Sequence, residues 1–210
     1  MIYYHRKKMN AKNEQPQPEY MIKLLVLGDL SVGKSSFIYR FIYDKFSPGE
    51  MQTSELELKT GDIIVDKKNV RVQLWDTVGQ EKYKSITKNL MSRVQGIILI
   101  FDLSNKETFK NIKSWINLIK EQCGHKMPIL IVGNKIDLEE ERFIKKEDAK
   151  AHFKKEKYKY VETSCLNGHN IKKAIIRICK IIIDSQNVRT DISFSLSNSN
   201  ISDNKKKHCC

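Results

Sequence analysis

The chain has 210 residues, 40% of them apolar, which suits one domain with tails and excludes two full domains. No run of 18 uninterrupted apolar residues occurs, so no membrane-spanning helix is predicted. The net charge of +13 indicates an anionic partner such as a phosphate or a membrane surface; nucleic acid is not expected, because no nucleic-acid-binding motif accompanies the lysines. Residues 1–20 are polar and lack the apolar core of a signal peptide, so we expect a cytosolic protein with reduced thiols.

The hydrophobic pattern predicts strands that alternate with helices along the chain. Apolar runs predict strands at 22–28, 96–102, 128–134 and 159–163, and a hairpin at 57–66 and 69–76. Helical spacing predicts helices at 34–45, 106–122, 147–155 and 170–183, with loop and short helix over 77–92. The alternation predicts an α/β fold with a mainly parallel sheet covered on both faces and one antiparallel edge strand.

The segment Gly28–Ser35 matches the pattern GxxxxGK[ST] between a predicted strand and a predicted helix. The glycines allow backbone N–H groups to surround phosphate oxygens, Lys34 supplies positive charge, and the Ser35 hydroxyl can bind Mg²⁺. The expected phosphate contacts are Ser31, Val32, Gly33, Lys34, Ser35 and Ser36. This motif indicates only a nucleoside triphosphate.

The sequence Asn134-Lys135-Ile136-Asp137 follows another buried strand. A carboxylate at Asp137 can accept hydrogen bonds from N1–H and the 2-amino group of guanine, and adenine has neither donor. The Lys135 stem can cover the base, and Asn134 can tie this loop to the phosphate loop. These residues therefore predict guanine as the base.

A third motif, residues 75–81 (WDTVGQE), closes the second strand of the hairpin. Asp76 can hold Mg²⁺, Gly79 can offer its N–H to the γ-phosphate, and Gln80 can orient the attacking water. The motif predicts hydrolysis of GTP.

Together the motifs at 28–36, 75–81 and 134–137 and the segment Glu162–Cys165 (ETSC) resemble the Ras superfamily and, with the two terminal cysteines, its Rab branch. The resemblance covers about residues 21–184, and the stretches 71–77, 40–46 and 168–173 look like the branch that serves the Golgi and retrograde traffic. It implies the P-loop NTPase three-layer sandwich, with six strands and about five helices.

The resemblance also implies roles for further residues. Phe46 would lie against guanine, Thr53 would bind Mg²⁺, and Leu58 and Trp75 would present apolar surface to effectors. The backbone of Ser164, Cys165 and Leu166 would contact the base. The implied ligands are GTP, GDP and Mg²⁺. The implied partners of a monomeric chain are an exchange factor, a GTPase-activating protein (GAP), a GDP-dissociation inhibitor or escort protein, and effectors.

Several positions depart from the family pattern. Leu30 is bulky for the phosphate loop, Glu55 replaces a glycine of the first switch, and Val78 replaces an alanine. Leu90-Met91 stands where Rabs usually have two tyrosines. These departures bear on the rate of hydrolysis and on the choice of effectors.

The C-terminal end, Cys209-Cys210, resembles a Rab double-geranylgeranylation site preceded by the basic residues 205–207. We expect a polar extension at 1–20, a GTPase domain at 21–184 and a flexible tail at 185–210. The tail would anchor the chain to the cytoplasmic face of a Golgi or endosomal membrane, with a cytosolic pool.

Two alternatives to a cycling switch of vesicle traffic remain open. A nucleotide-bound scaffold that hydrolyses GTP poorly would explain Leu30, Glu55 and Val78. An ATP-dependent P-loop kinase would explain the phosphate loop alone, and Asp137 argues against it.

Overall fold

A computed structural model describes residues 17–46, 56–76 and 89–185. Within these ranges six strands form one sheet in the order β2-β3-β1-β4-β5-β6. The strands are β1 Tyr20–Leu27, β2 Glu57–Val65, β3 Lys68–Asp76, β4 Gly96–Asp102, β5 Ile129–Asn134 and β6 Lys159–Glu162. The edge strand β2 pairs antiparallel with β3, and the remaining pairs are parallel. The predicted mainly parallel sheet with an antiparallel edge strand is confirmed.

Besides a short 3-10 helix at Glu139–Glu141, five α-helical segments accompany the sheet in the described ranges. They are α1 Lys34–Tyr43, α2 at residues 89–91, α3 Lys106–Cys123, α4 Lys146–Lys155 and α5 at residues 171–185. Helix α1 ends two residues earlier than predicted because Asp44 adopts the left-handed conformation (φ 54°) and its N–H bonds to the Arg40 carbonyl. No helix in the described part of the chain has both the length and the apolar content to cross a membrane.

Two hydrophobic cores lie on opposite faces of the sheet. Alternate residues of β1 point to opposite sides, so Leu24 and Val26 join one core while Leu25 and Leu27 join the other. The first core lies under α1 and α5, and the second under α3 and α4. Both faces of the central strands are therefore buried, which explains their uninterrupted apolar sequences.

The sheet order places a ligand crevice after β1. Strand β1 lies between β3 and β4, so the chain leaves it toward one side of the sheet and later returns on the other. In open parallel sheets ligands bind at such a switch point, beyond the carboxyl ends of the strands. Segment 28–33 lies there, as do the strand-ending residues Asp76, Asp102 and Asn134.

Candidate nucleotide-binding site

The loop between β1 and α1 depends on two glycines with positive φ. Gly28 has φ 142°, and a Cβ on it would lie 2.1 Å from the Ile100 carbonyl oxygen. Gly33 has φ 96°, and a Cβ there would lie 2.4 Å from the Asn134 side-chain nitrogen. The loop therefore packs directly against β4 and the last residue of β5, at distances that only glycine permits.

Lys34 lies buried inside this loop at the start of α1. Its Nζ donates hydrogen bonds to the carbonyls of Gly28 at 3.0 Å and Asp29 at 2.6 Å. Burial lowers the pKa of Lys34 from 10.5 to about 8, and the nearby carboxylates of Asp76 and Asp29 partly oppose this shift. The ammonium group is thus held in place. Burial disfavours its charged form, and an anionic ligand would favour that form.

Asn134 connects three segments of the site. Its buried side chain donates from Nδ2 to the Val32 carbonyl at 2.9 Å. Its Oδ1 accepts from Thr163 Oγ1 at 3.1 Å and from the Cys165 thiol at 3.3 Å. The predicted tie between the Asn134 loop and the phosphate loop is present, and it extends to the loop after β6.

Lys135 and Asp137 are oriented by partners outside their own motif. The Lys135 ammonium lies 2.7 Å from Asp102 Oδ2, which holds the lysine stem beside the end of β4. Asp137 is exposed, and its Oδ1 accepts a hydrogen bond from the Ser164 hydroxyl. An exposed carboxylate with one oxygen oriented by a hydroxyl is suited to pair with N–H donors of a ligand.

Sequence reasoning missed Asp29 and Asp102 as parts of the site. Asp102 ends β4 opposite Asn134 of β5, and this position at the carboxyl edge is a signal that could have identified it. Asp29 accepts from Trp115 Nε1 and Asn111 Nδ2, both at 2.8 Å, and so fastens the phosphate loop to α3. No local pattern in the sequence indicates that Asp29 binds Trp115 and Asn111.

The oxygen groups near Lys34 fit a magnesium ion. Asp76 is buried at the end of β3, in register with Val26 of β1, and Ser35 lies in the first turn of α1. Among the described residues no three His, Cys, Asp or Glu side chains form a metal-holding group. A single carboxylate and a hydroxyl agree with the way Mg²⁺ is held by few protein ligands together with substrate phosphates.

Some of the other predicted residues lie within the part of the chain that the structure describes, and the rest lie outside it. Phe46 is partly exposed beyond α1, and exposed Leu58 lies opposite Trp75 in the β2–β3 hairpin. Leu30 is 57% exposed, and Met91 is buried in the second core. The predictions that lie outside the described residues concern Thr53, Glu55, Val78, Gly79, Gln80, Cys209 and Cys210.

Comparison with known proteins agrees with this geometry. The model of the Ras family matches residues 23–184. The chain belongs to the Ras family. It is 33% identical to the Ras-related protein Rab-3C of Bos taurus over 184 residues, which cover 87% of this chain and 81% of that protein. It is also 33% identical to the Ras-related protein RABA4b of Arabidopsis thaliana over 180 residues, 86% of this chain and 80% of the relative.

These relatives assign the chain to the Rab type of small GTPase within the Ras family. A further match, 31% identical over 193 residues, is the EF-hand calcium-binding domain-containing protein 4B of Homo sapiens. It covers 92% of this chain but only 26% of that protein, so the chain spans about a quarter of it.

Proposed function

We propose that this Rab-type GTPase binds GTP and GDP in the crevice after β1 and regulates membrane traffic by cycling between the two forms. The observation that carries the proposal is the hydrogen bond from Asn134 to the Val32 carbonyl, which joins the phosphate loop to the loop of Asp137. A triphosphate site and a guanine-reading carboxylate are thereby parts of one hydrogen-bonded unit.

The two loops joined by Asn134 bind different parts of the nucleotide. Lys34 and the backbone N–H groups of residues 31–36 bind the phosphates, with the N-terminus of α1 adding partial positive charge. Asp137 accepts from the guanine ring, while Phe46 and Lys135 flank the base and the backbone of Ser164, Cys165 and Leu166 contacts it. Ser35, Thr53 and Asp76 would hold Mg²⁺, which would supply positive charge to the phosphate oxygens.

Hydrolysis of GTP is a second part of the proposal, separate from nucleotide binding. Gln80 orients the attacking water, Gly79 donates its N–H to the γ-phosphate, and a GAP supplies the charge that stabilises the transition state. Leu30 supports the alternative of a scaffold that hydrolyses GTP poorly, because this bulky side chain is exposed on the phosphate loop where a partner would approach.

The switch and the scaffold differ in GTP turnover. Purified chain is analysed for bound nucleotide by chromatography, and GTP loss is then followed with and without a Rab GAP. A switch shows hydrolysis that the GAP accelerates and that Gln80→Leu abolishes. Equal, negligible turnover in the parent chain and in Gln80→Leu would instead favour the scaffold.

Base choice is tested by Asp137→Asn. We expect weaker GDP and GTP binding, because the amide places a donor where guanine N–H groups need acceptors. Asp148→Asn, an exposed change on α4, is the matched control and should leave affinity unaltered. Comparable GDP affinity in the two variants, or a preference for ATP, would overturn the guanine assignment.

Membrane attachment completes the proposal. The GTPase domain at 21–184 would be tethered through 185–210 by geranylgeranyl groups on Cys209 and Cys210, aided by the basic residues 205–207. A tagged chain should localise to a Golgi or endosomal membrane, and the double variant Cys209→Ser, Cys210→Ser should become cytosolic. Unchanged localisation of that variant would exclude the lipid anchor.

A further inference from the structure

Arg40 of α1 binds the loop that follows β6. Its Nε donates to the Cys165 carbonyl at 2.8 Å, and its Nη2 donates to the next carbonyl, that of Leu166. The planar guanidinium therefore occupies two successive carbonyls of the segment expected to contact the base.

The same guanidinium also holds the C-terminal end of α1. Its Nη1 donates to the Asp44 carbonyl at 3.0 Å, two residues before Phe46. Asp44 carries a second link, because its Oδ2 lies 3.3 Å from the Lys172 ammonium of α5. Arg40 thus bonds both to the loop expected to contact the base and to the end of α1 that leads to Phe46.

A continuous path of bonds leads from Arg40 to Asp137. The Leu166 carbonyl and the Asn167 N–H belong to one planar peptide unit, so fixing the oxygen also orients the N–H. That N–H donates to Ser164 Oγ at 3.2 Å, and the Ser164 hydroxyl donates to Asp137 Oδ1. Leu166 is thereby connected through two hydrogen bonds to the carboxylate expected to read the base.

We infer that Arg40 is a positioning residue that sets how long guanine nucleotide stays bound and how strictly guanine is selected. It acts by holding the Cys165–Leu166 carbonyls and the chain leading to Phe46 in one arrangement. This inference rests on the proposed function, since it concerns the same nucleotide site. It adds a determinant of nucleotide release that lies outside the motifs at 28–36, 75–81 and 134–137.

The first test measures release of fluorescent GDP from Arg40→Ala and Arg40→Lys. We expect release about tenfold faster in Arg40→Ala, the factor that corresponds to losing one charge-assisted hydrogen bond. Arg40→Lys keeps the charge but donates from one atom, so it should lie between the parent and Arg40→Ala. Arg71→Ala is the matched control, because Arg71 makes a two-pronged bond to Asp62 on the β2–β3 hairpin, away from the site.

The second test asks whether Arg40 acts on base reading or only on stability. Inosine diphosphate lacks the 2-amino group that Asp137 would bind, so the ratio of GDP to inosine diphosphate affinity reports on that carboxylate. We expect this ratio to fall several-fold in both Arg40 variants and to stay at the parent value in Arg71→Ala.

Each outcome decides the inference. Faster release with a lower base ratio, in either Arg40 variant, supports it. Release at the parent rate in both variants, or faster release without a lower base ratio in either variant, overturns it. The parent chain separates the two proposals: if it binds no guanine nucleotide, the proposed function fails and the inference with it, whereas a parent that binds GDP leaves only the role of Arg40 at issue.

Discussion

Gly33 shows how one residue can control the contact between two loops. Its positive φ costs glycine little, and the space where a side chain would stand is occupied by the Asn134 amide. Gly124, at the end of α3, also has a positive φ but has nothing within 4 Å of its Cβ position. The two glycines therefore separate the effect of conformation from that of crowding.

We predict that Gly33→Ala lowers both the melting temperature and the affinity for GDP, because the methyl group must displace Asn134 from Val32. Gly124→Ala should cost only the backbone strain of an alanine at φ 75°, ψ 176°, a region that essentially only glycine adopts, about 1–3 kcal/mol. Thermal unfolding and titration with GDP measure both effects. The crowding argument fails if the two variants lose the same stability and keep the same GDP affinity.

The lowered pKa of Lys34 predicts that GDP binding is coupled to proton uptake. The pKa of the buried amine is about 8, so near that pH part of the nucleotide-free population is neutral. Phosphates favour the charged form and raise this pKa, so GDP binding near pH 8 should take up a fraction of a proton, and affinity should fall at higher pH. Titration calorimetry in two buffers of different ionisation enthalpy measures the uptake. Equal binding enthalpies in the two buffers would contradict the prediction.

At the scale of elements, a buried ionic network joins β6 to the turn after β5. Arg142 lies in that turn. Its guanidinium donates from Nη1 and Nη2 to the two carboxylate oxygens of Glu162, at the end of β6. The Tyr160 hydroxyl donates to the same carboxylate at 2.8 Å. Because Glu162 directly precedes the Thr163–Cys165 segment, the network supports the loop that contacts Asn134.

Glu162→Ala should reduce the free energy of unfolding by about 3 kcal/mol, because it leaves the largely buried Arg142 guanidinium with only the exposed Glu139 carboxylate, 3.8 Å away. Glu107→Ala breaks the exposed pair with Lys110 and should cost less than about 0.5 kcal/mol. Chemical denaturation of the two GDP-bound variants makes the comparison. Similar losses in both would show that the network contributes no more than a surface pair.

At the scale of the whole molecule, stability depends on the two cores that cover the central strands. Phe37 projects from α1 into the first core and is fully buried, whereas Ile64 on the edge strand β2 is 69% exposed. Helix α1 also begins with Lys34, so packing under this helix and the position of the phosphate loop are mechanically connected.

Phe37→Ala should cost about 3–5 kcal/mol, because it opens a cavity between α1 and the sheet. Ile64→Ala should change stability by less than about 0.5 kcal/mol, as expected for an exposed side chain. Denaturant unfolding followed by circular dichroism distinguishes them. A small effect of Phe37→Ala would mean that α1 is held chiefly by its hydrogen bonds.

The local pattern of residues was sufficient to predict the elements and their type. The first strand, predicted at 22–28, is observed at Tyr20–Leu27, and the first helix, predicted at 34–45, at Lys34–Tyr43. These features follow from hydrophobic spacing and glycine placement, which are read over a few neighbouring residues. The motif residues Lys34, Asn134 and Asp137 were identified in the same way, and their roles in nucleotide binding, like the roles of Thr53, Gly79 and Gln80, remain predictions.

The sequence by itself determined the order of strands and helices, the phosphate and base motifs, and the family. Only the tertiary structure decided which side chains hold those motifs in place. The bond from Trp115 to Asp29 spans 86 positions, and that from Arg40 to Cys165 spans 125. No local pattern encodes such pairs, because they form only when parallel strands bring their carboxyl ends to one edge of the sheet.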